Sequence, residues 1–265
     1  MVQRLCQGRA HRRLVLVGFL PAGWPDRDGS RVCVGAAFAA GADAMEIAVP
    51  NPPLAMDGPL LQEAAVIAAR EVEDAADALR LAALGRGDGD GALIALVNGH
   101  AAAMLGRPRI HDVCVEAGVD ALLTPEDSFA EQLESAAVAR ARGLEQLLFL
   151  HREEDLALLA STTLEQPMVY LQSADLRTGG PFNPEKARER LAEVRAALGG
   201  RDAYVLVGFG IRSSEEVAEL AESVADGAVV GTALTSAAKH GPDEVADLVR
   251  AIVPALRRPV EKSSA

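Results

Sequence analysis

Short apolar runs recur along this chain, mostly at intervals of roughly 20 to 35 residues, and most are followed by a stretch with helical character. The runs are Leu14–Leu20, Ala44–Val49, Ala92–Val97, Val119–Leu123, Leu147–Leu150, Met168–Gln172, Tyr204–Val207 and Gly227–Val230. They are of strand length and nearly continuous rather than alternating, the pattern of a parallel sheet covered on both faces. Helices are predicted over Arg31–Ala40 (ended by Gly41), Leu60–Leu84, His111–Ala117, Ser128–Arg142, Glu153–Ser161, Pro184–Leu198 and Ser213–Ser223, with closing helices over Thr232–Leu256. The second is a long helix with Glu63, Glu71, Glu73, Asp74 and Asp77 on its wet faces. A doubly wound sheet shares this alternation, but regular units with no break in composition favour one (β/α)8 TIM barrel. The barrel is expected over residues 1–258, followed by a frayed tail at 259–265.

One stretch departs from the apolar pattern in a way that matters. Glu46 interrupts the second run, and a carboxylate inside a buried strand is costly without a reason for being there. Pro50, Pro52 and Pro53 then forbid a helix, until Asp57-Gly58-Pro59 opens one. In a parallel barrel, Glu46 and Asp57 can both face the mouth where ligands bind, although Asp57 can equally be a helix cap. The last three units add glycine-bearing strand ends: Thr178-Gly179-Gly180, Gly208-Phe209-Gly210 and Gly231-Thr232. Glycine lets backbone approach a ligand, and the amides that open a helix favour an anion, so a phosphate site is expected at the ends of strands seven and eight.

Composition narrows the partners. The net charge of −12 argues against nucleic acid or an anionic membrane, yet leaves room for an anionic small molecule held by backbone amides. Cys6, Cys33 and Cys114 make no metal pattern and read as apolar thiols of a cytoplasmic protein. The basic start, Met1–Arg13, precedes an apolar run too short to span a bilayer.

These pieces resemble the α subunit of tryptophan synthase over nearly the whole chain. The likeness is carried by Phe19-Leu-Pro-Ala-Gly-Trp-Pro-Asp26, Ala40-Gly-Ala-Asp-Ala-Met-Glu46-Ile, Leu54-Ala-Met-Asp57-Gly-Pro59, Ala117-Gly-Val-Asp120, Tyr170-Leu-Gln-Ser173, Gly208-Phe-Gly-Ile211 and Val230-Gly-Thr-Ala. The resemblance implies cleavage of indole-3-glycerol phosphate to indole and glyceraldehyde 3-phosphate, with no cofactor in this subunit. It implies Glu46 as the proton-shuttling acid/base, Asp57 as acceptor of the indole N–H and Tyr170 as the tyrosine of strand six. Phe19, Leu123 and Phe209 would wall the ring, Thr178 would line the site, and amides of Gly179, Gly210, Gly231 and Thr232 would hold the phosphate. The chain also departs from the family. The loop that contacts a β subunit there reads Pro50-Asn-Pro-Pro-Leu-Ala-Met-Asp57 here, and Asp175 and Arg177 stand in the rewritten loop after strand six. His100 is new beside the third strand, either touching substrate or lying in a loop. A lyase that works without a β subunit is therefore expected, with the ordinary α subunit and a weak regulatory paralogue as alternatives.

Overall fold

A computed structural model describes residues 1–50, 58–172, 182–208 and 210–259, apart from the side chains of Met104 and Arg107. Within them the chain folds as a single (β/α)8 barrel. The strands are β1 (Val15–Pro21), β2 (Ala44–Ala48), β3 (Ala92–Leu96), β4 (Ala121–Leu123), β5 (Glu145–Leu150), β6 (Met168–Gln172), β7 (Tyr204–Gly208) and β8 (Gly227–Val230). All neighbours pair in parallel, and β8 returns to β1, so the sheet closes in sequence order without an edge. The helices are α1 (Val2–Ala10), α2 (Arg27–Ala40), α3 (Pro59–Ala68), α4 (Ala75–Arg86), α5 (Gly99–Leu105), α6 (Arg107–Glu116), α7 (Phe129–Arg140), α8 (Asp155–Ser161), α9 (Pro184–Leu198), α10 (Ser214–Ala221), α11 (Thr232–Ala238) and α12 (Pro242–Ile252). None of the described helices is long and apolar enough to cross a membrane.

Strand alternation divides the apolar residues into two cores. Val15, Val17, Ala44, Ile94, Leu123, Leu147, Phe149, Met168, Tyr170, Leu206 and Val229 fill the barrel. Their sequence neighbours, among them Leu16, Met45, Leu93, Leu122, Leu148, Val169, Val205 and Ala228, pack outward under the helices. The strands look continuously apolar in sequence because both faces are covered.

One helical expectation is corrected, and one helix is new. The stretch Leu60–Leu84 is not one helix but α3 and α4, separated by Ala69–Asp74. Asp74 caps α4 by accepting the amide of Asp77 at 2.7 Å, and Arg27 of α2 pins the corner through Asp77 and the carbonyl of Glu71. A new cap combined with a tertiary ion pair outweighs the helical propensity of the sequence between them. The basic start, for which no element was predicted, is helical. It forms α1, which inserts Leu5 into the barrel interior.

The floor of the barrel also accounts for the acids in Gly41-Ala-Asp43 and Gly118-Val-Asp120. Asp43 accepts the amide of Leu16 and pairs with Arg13, while Asp120 accepts the amide of Leu93 and pairs with Arg86. Asp226 does the same for Val205, with Arg9 and Arg195. These acids precede β2, β4 and β8, so they staple strand starts at the face opposite the mouth, where stability rather than chemistry is expected.

Candidate active site

Glu46 sits at the centre of β2, and its register neighbours are Phe19 on β1 and Ile94 on β3. It follows Ala44 by two residues and so shares that residue's inward face. Only 2% of it is exposed. The expectation that Glu46 lies within a buried strand and faces the lumen therefore matches the geometry.

Tyr170 projects into the same lumen from β6, 5% exposed, with its ring centroid 5.6 Å from that of Phe149. Burial first, and then the negative charge of Glu46, push the Tyr170 phenol well above its ordinary pKa. The phenol thus keeps its proton at neutral pH, and Glu46 is near enough for its charge to be felt. Space for the ring comes from Gly208 on β7, where a Cβ atom would meet the ring carbons Cζ and Cε1 at 2.6 and 2.7 Å. Here a glycine that reads as turn chemistry in sequence is a steric requirement.

Leu123 is buried at the end of β4, facing inward, and Phe19 is half-buried at the top of β1. Gly231 lies across from Phe19, with room for ordinary contact at 3.8 Å. It forms the N-cap position of α11, and Thr232 is the first residue of that helix. Gly210 has φ 87°, the left-handed conformation that favours glycine. A cavity of about 420 Å³ opens beside this corner, lined by Gly58, Pro59, Arg212, Thr232 and Ser236 among others. It joins the start of α3, just after Asp57, to the start of α11. His100 is exposed on α5, a helix opened by the Asn98 side chain and tied to the β4 loop through Glu126, which accepts the Gly99 amide at 2.8 Å. Asp57, Thr178, Gly179 and Phe209 lie outside the described residues.

Two further inward residues escaped sequence reasoning. His151 follows the last residue of β5, and its ring lies 5.3 Å from that of Phe149. Gln172 ends β6 opposite Gly208 and is 7% exposed. The signal that could have found them is parity. Each stands two residues beyond an inward aromatic, Phe149 or Tyr170.

A family model described as tryptophan synthase alpha chain matches residues 5–260. The tryptophan synthase alpha chain of Nocardia farcinica is 29% identical over 94% of this chain and 92% of its own length. That of Thermobifida fusca is 31% identical over 91% and 89%. Among solved structures, tryptophan synthase of Mycobacterium tuberculosis superposes with a TM-score of 0.85 at 26% identity, covering 97% of this chain and 98% of the other.

Proposed function

Because the chain belongs to the tryptophan synthase alpha chain family, we propose that it is a carbon–carbon lyase cleaving indole-3-glycerol phosphate to indole and glyceraldehyde 3-phosphate. The observation that carries the reading is Glu46, a carboxyl group 2% exposed inside the barrel and electrostatically coupled to the Tyr170 phenol. A retro-aldol cleavage needs one proton delivered to C3 of the ring and one removed from the side-chain hydroxyl next to the breaking bond. Glu46 delivers the first. The bond from C3 to the carbinol carbon then breaks, its electron pair stays with the ring, and the hydroxyl proton leaves as the aldehyde forms. No water is consumed, and a single carboxyl that gives one proton and takes the other ends the cycle as it began.

The remaining roles follow the same reading. Asp57 accepts the indole N–H and offsets the positive charge that protonation at C3 places on the ring. Tyr170, held protonated, donates a hydrogen bond in the region of the Glu46 carboxylate. Phe19, Leu123 and Phe209 form the apolar walls, and Thr178 lines the site. Amides of Gly179, Gly210, Gly231 and Thr232 receive the phosphate, a reading supported by the cavity that Thr232 lines at the start of α11. The test is Glu46→Gln, which keeps volume and removes the acid. Turnover should fall by about two orders of magnitude or more while the fold is kept; a variant within threefold of the parent would sink the assignment.

The family normally works with a β subunit, and we propose that this member turns over without one. Support comes from the sequence of the loop after β2, where Pro52 and Pro53 restrict the conformations open to the chain that carries Asp57. Indole release measured against rising β subunit should stay flat from an appreciable basal rate. Stimulation of tenfold or more from a near-zero baseline would return the protein to the ordinary α subunits.

A further inference from the structure

The upper wall of the barrel between β5 and β6 carries polar groups that the lyase reading leaves without a task. The register pairs Phe149 with Tyr170 and Leu150 with Leu171, and His151 and Gln172 are the next residues along the two chains. Both residues fall on the inward face by alternation, and the His151 ring contacts Phe149. Nε2 of His151 accepts a hydrogen bond from Nε of Arg152 at 3.1 Å, so the neutral ring carries its proton on Nδ1. Burial acts in the same direction, lowering the pKa of this imidazole and favouring the neutral ring. Nδ1 is itself buried and has no hydrogen-bond partner among the described residues. The carboxamide of Gln172 is buried too, and neither its oxygen nor its nitrogen has a partner among the described residues.

An unsubstituted aromatic ring gains nothing from such a wall. It would leave one N–H donor and a whole carboxamide desolvated without compensation, which apolar side chains of similar size would avoid. A hydroxyl group can bond to both residues at once, accepting from Nδ1–H of His151 and donating to Oε1 of Gln172. Position favours a hydroxyl on the ring over one on the glycerol arm. With the acid on β2 and the phosphate at the ends of β7 and β8, the arm runs from Glu46 toward β8. The ring is left to point across the barrel to β4, β5 and β6, where Leu123 and Phe149 line the interior.

We propose that His151 and Gln172 form a clamp for a hydroxyl group on the substrate's ring, so that the preferred substrate is a ring-hydroxylated indole-3-glycerol phosphate. The inference rests on the lyase reading and narrows its substrate class. The experiment compares kcat/KM for the plain substrate and for versions hydroxylated at each benzo-ring position, with parent enzyme, Gln172→Met, and the double variant His151→Phe/Gln172→Met. Calorimetry runs in parallel with non-cleavable analogues that lack the side-chain hydroxyls, with and without the ring hydroxyl. One hydroxylated isomer should exceed the plain substrate by at least about tenfold in kcat/KM and in analogue affinity. The variants should erase that margin, lowering kcat/KM for the hydroxylated isomer by more than for the plain substrate.

Equal handling of every ring by the parent enzyme would overturn the clamp and leave the lyase reading standing. So would variants that weaken all substrates alike, since the pair would then grip the arm. Failure to cleave any of the substrates would remove the lyase reading, and the clamp with it. Gln172→Met alone, close to isosteric, serves as the test if the double variant does not fold.

Discussion

Replacing Gly208 by alanine tests whether Tyr170 must lie against the β7 backbone. The added Cβ would come within 2.6 Å of Cζ and 2.7 Å of Cε1 of Tyr170, and nearer still to its hydroxyl. The backbone at Gly208 is held in register against Gln172 of β6, so the movable partner is the ring. Forcing one methyl into a packed interior costs about 1–3 kcal/mol, which corresponds to a fall of roughly 2–12 °C in Tm for a chain of this size. The displaced phenol also loses its place beside Glu46, and an error of about 1 Å in a reacting group can cost on the order of a hundredfold in rate. Differential scanning calorimetry and indole release measure the two effects separately. The control is the same substitution in a Tyr170→Leu background, where no ring occupies the space. There the alanine should cost less than about 0.5 kcal/mol, giving a coupling of similar size to the original penalty. An unchanged Tm for Gly208→Ala, or the same loss in both backgrounds, would refute the steric argument.

Two further outcomes follow from groups remote from the lumen. Hydrogen bonds from Arg27, and then the amide of Glu73, lower the pKa of the Asp77 carboxyl to about 2, below its ordinary value. A depressed folded-state pKa contributes stability above the unfolded value near 4 and loses it as pH falls through about 2. Asp77→Asn should therefore flatten the decline of the urea midpoint between about pH 4 and pH 2; a parental slope in the variant would exclude Asp77 as its source. Burial pushes the Cys33 and Cys114 thiols up to about 11 and about 12, whereas Cys6 is exposed, with Sγ 2.8 Å from the Tyr204 hydroxyl. A thiol reagent at pH 8 should label Cys6 alone in the native protein and all the cysteines after unfolding. Rapid native labelling of Cys114 would contradict the burial.

The reading of all three cysteines as core thiols thus holds for Cys33 and Cys114 but not for Cys6, which lies on α1. That helix was illegible because Val2–Ala10 is short and carries Gln3, Arg4, Gln7 and Arg9 between its apolar residues, and its value lies in Leu5 closing a space that exists only once the barrel is formed. The break between α3 and α4 was illegible for a similar reason. Asp74 reads as another wet-face acid until Arg27, far away in sequence, meets Asp77 and Glu71.

The strands and the barrel could be read from the chain alone because parallel strands covered on both faces must be apolar throughout, which is a local property. Glu46 stood out by the same rule, as a charge where none belongs. The sequence by itself also carried the family motifs, whose spacing survives although the loop after β2 has changed. Register, which is set between strands and not along them, decided the rest. It turned the apolar runs into an inner and an outer core, brought Glu46 and Tyr170 from β2 and β6 into one lumen, and converted Gly208 from a turn residue into room for a phenol. It also carried His151 and Gln172, 21 positions apart in sequence, to the ends of the neighbouring strands β5 and β6. Side-chain direction in a strand has a period of two, so a residue's face is known only when its neighbours fix the phase.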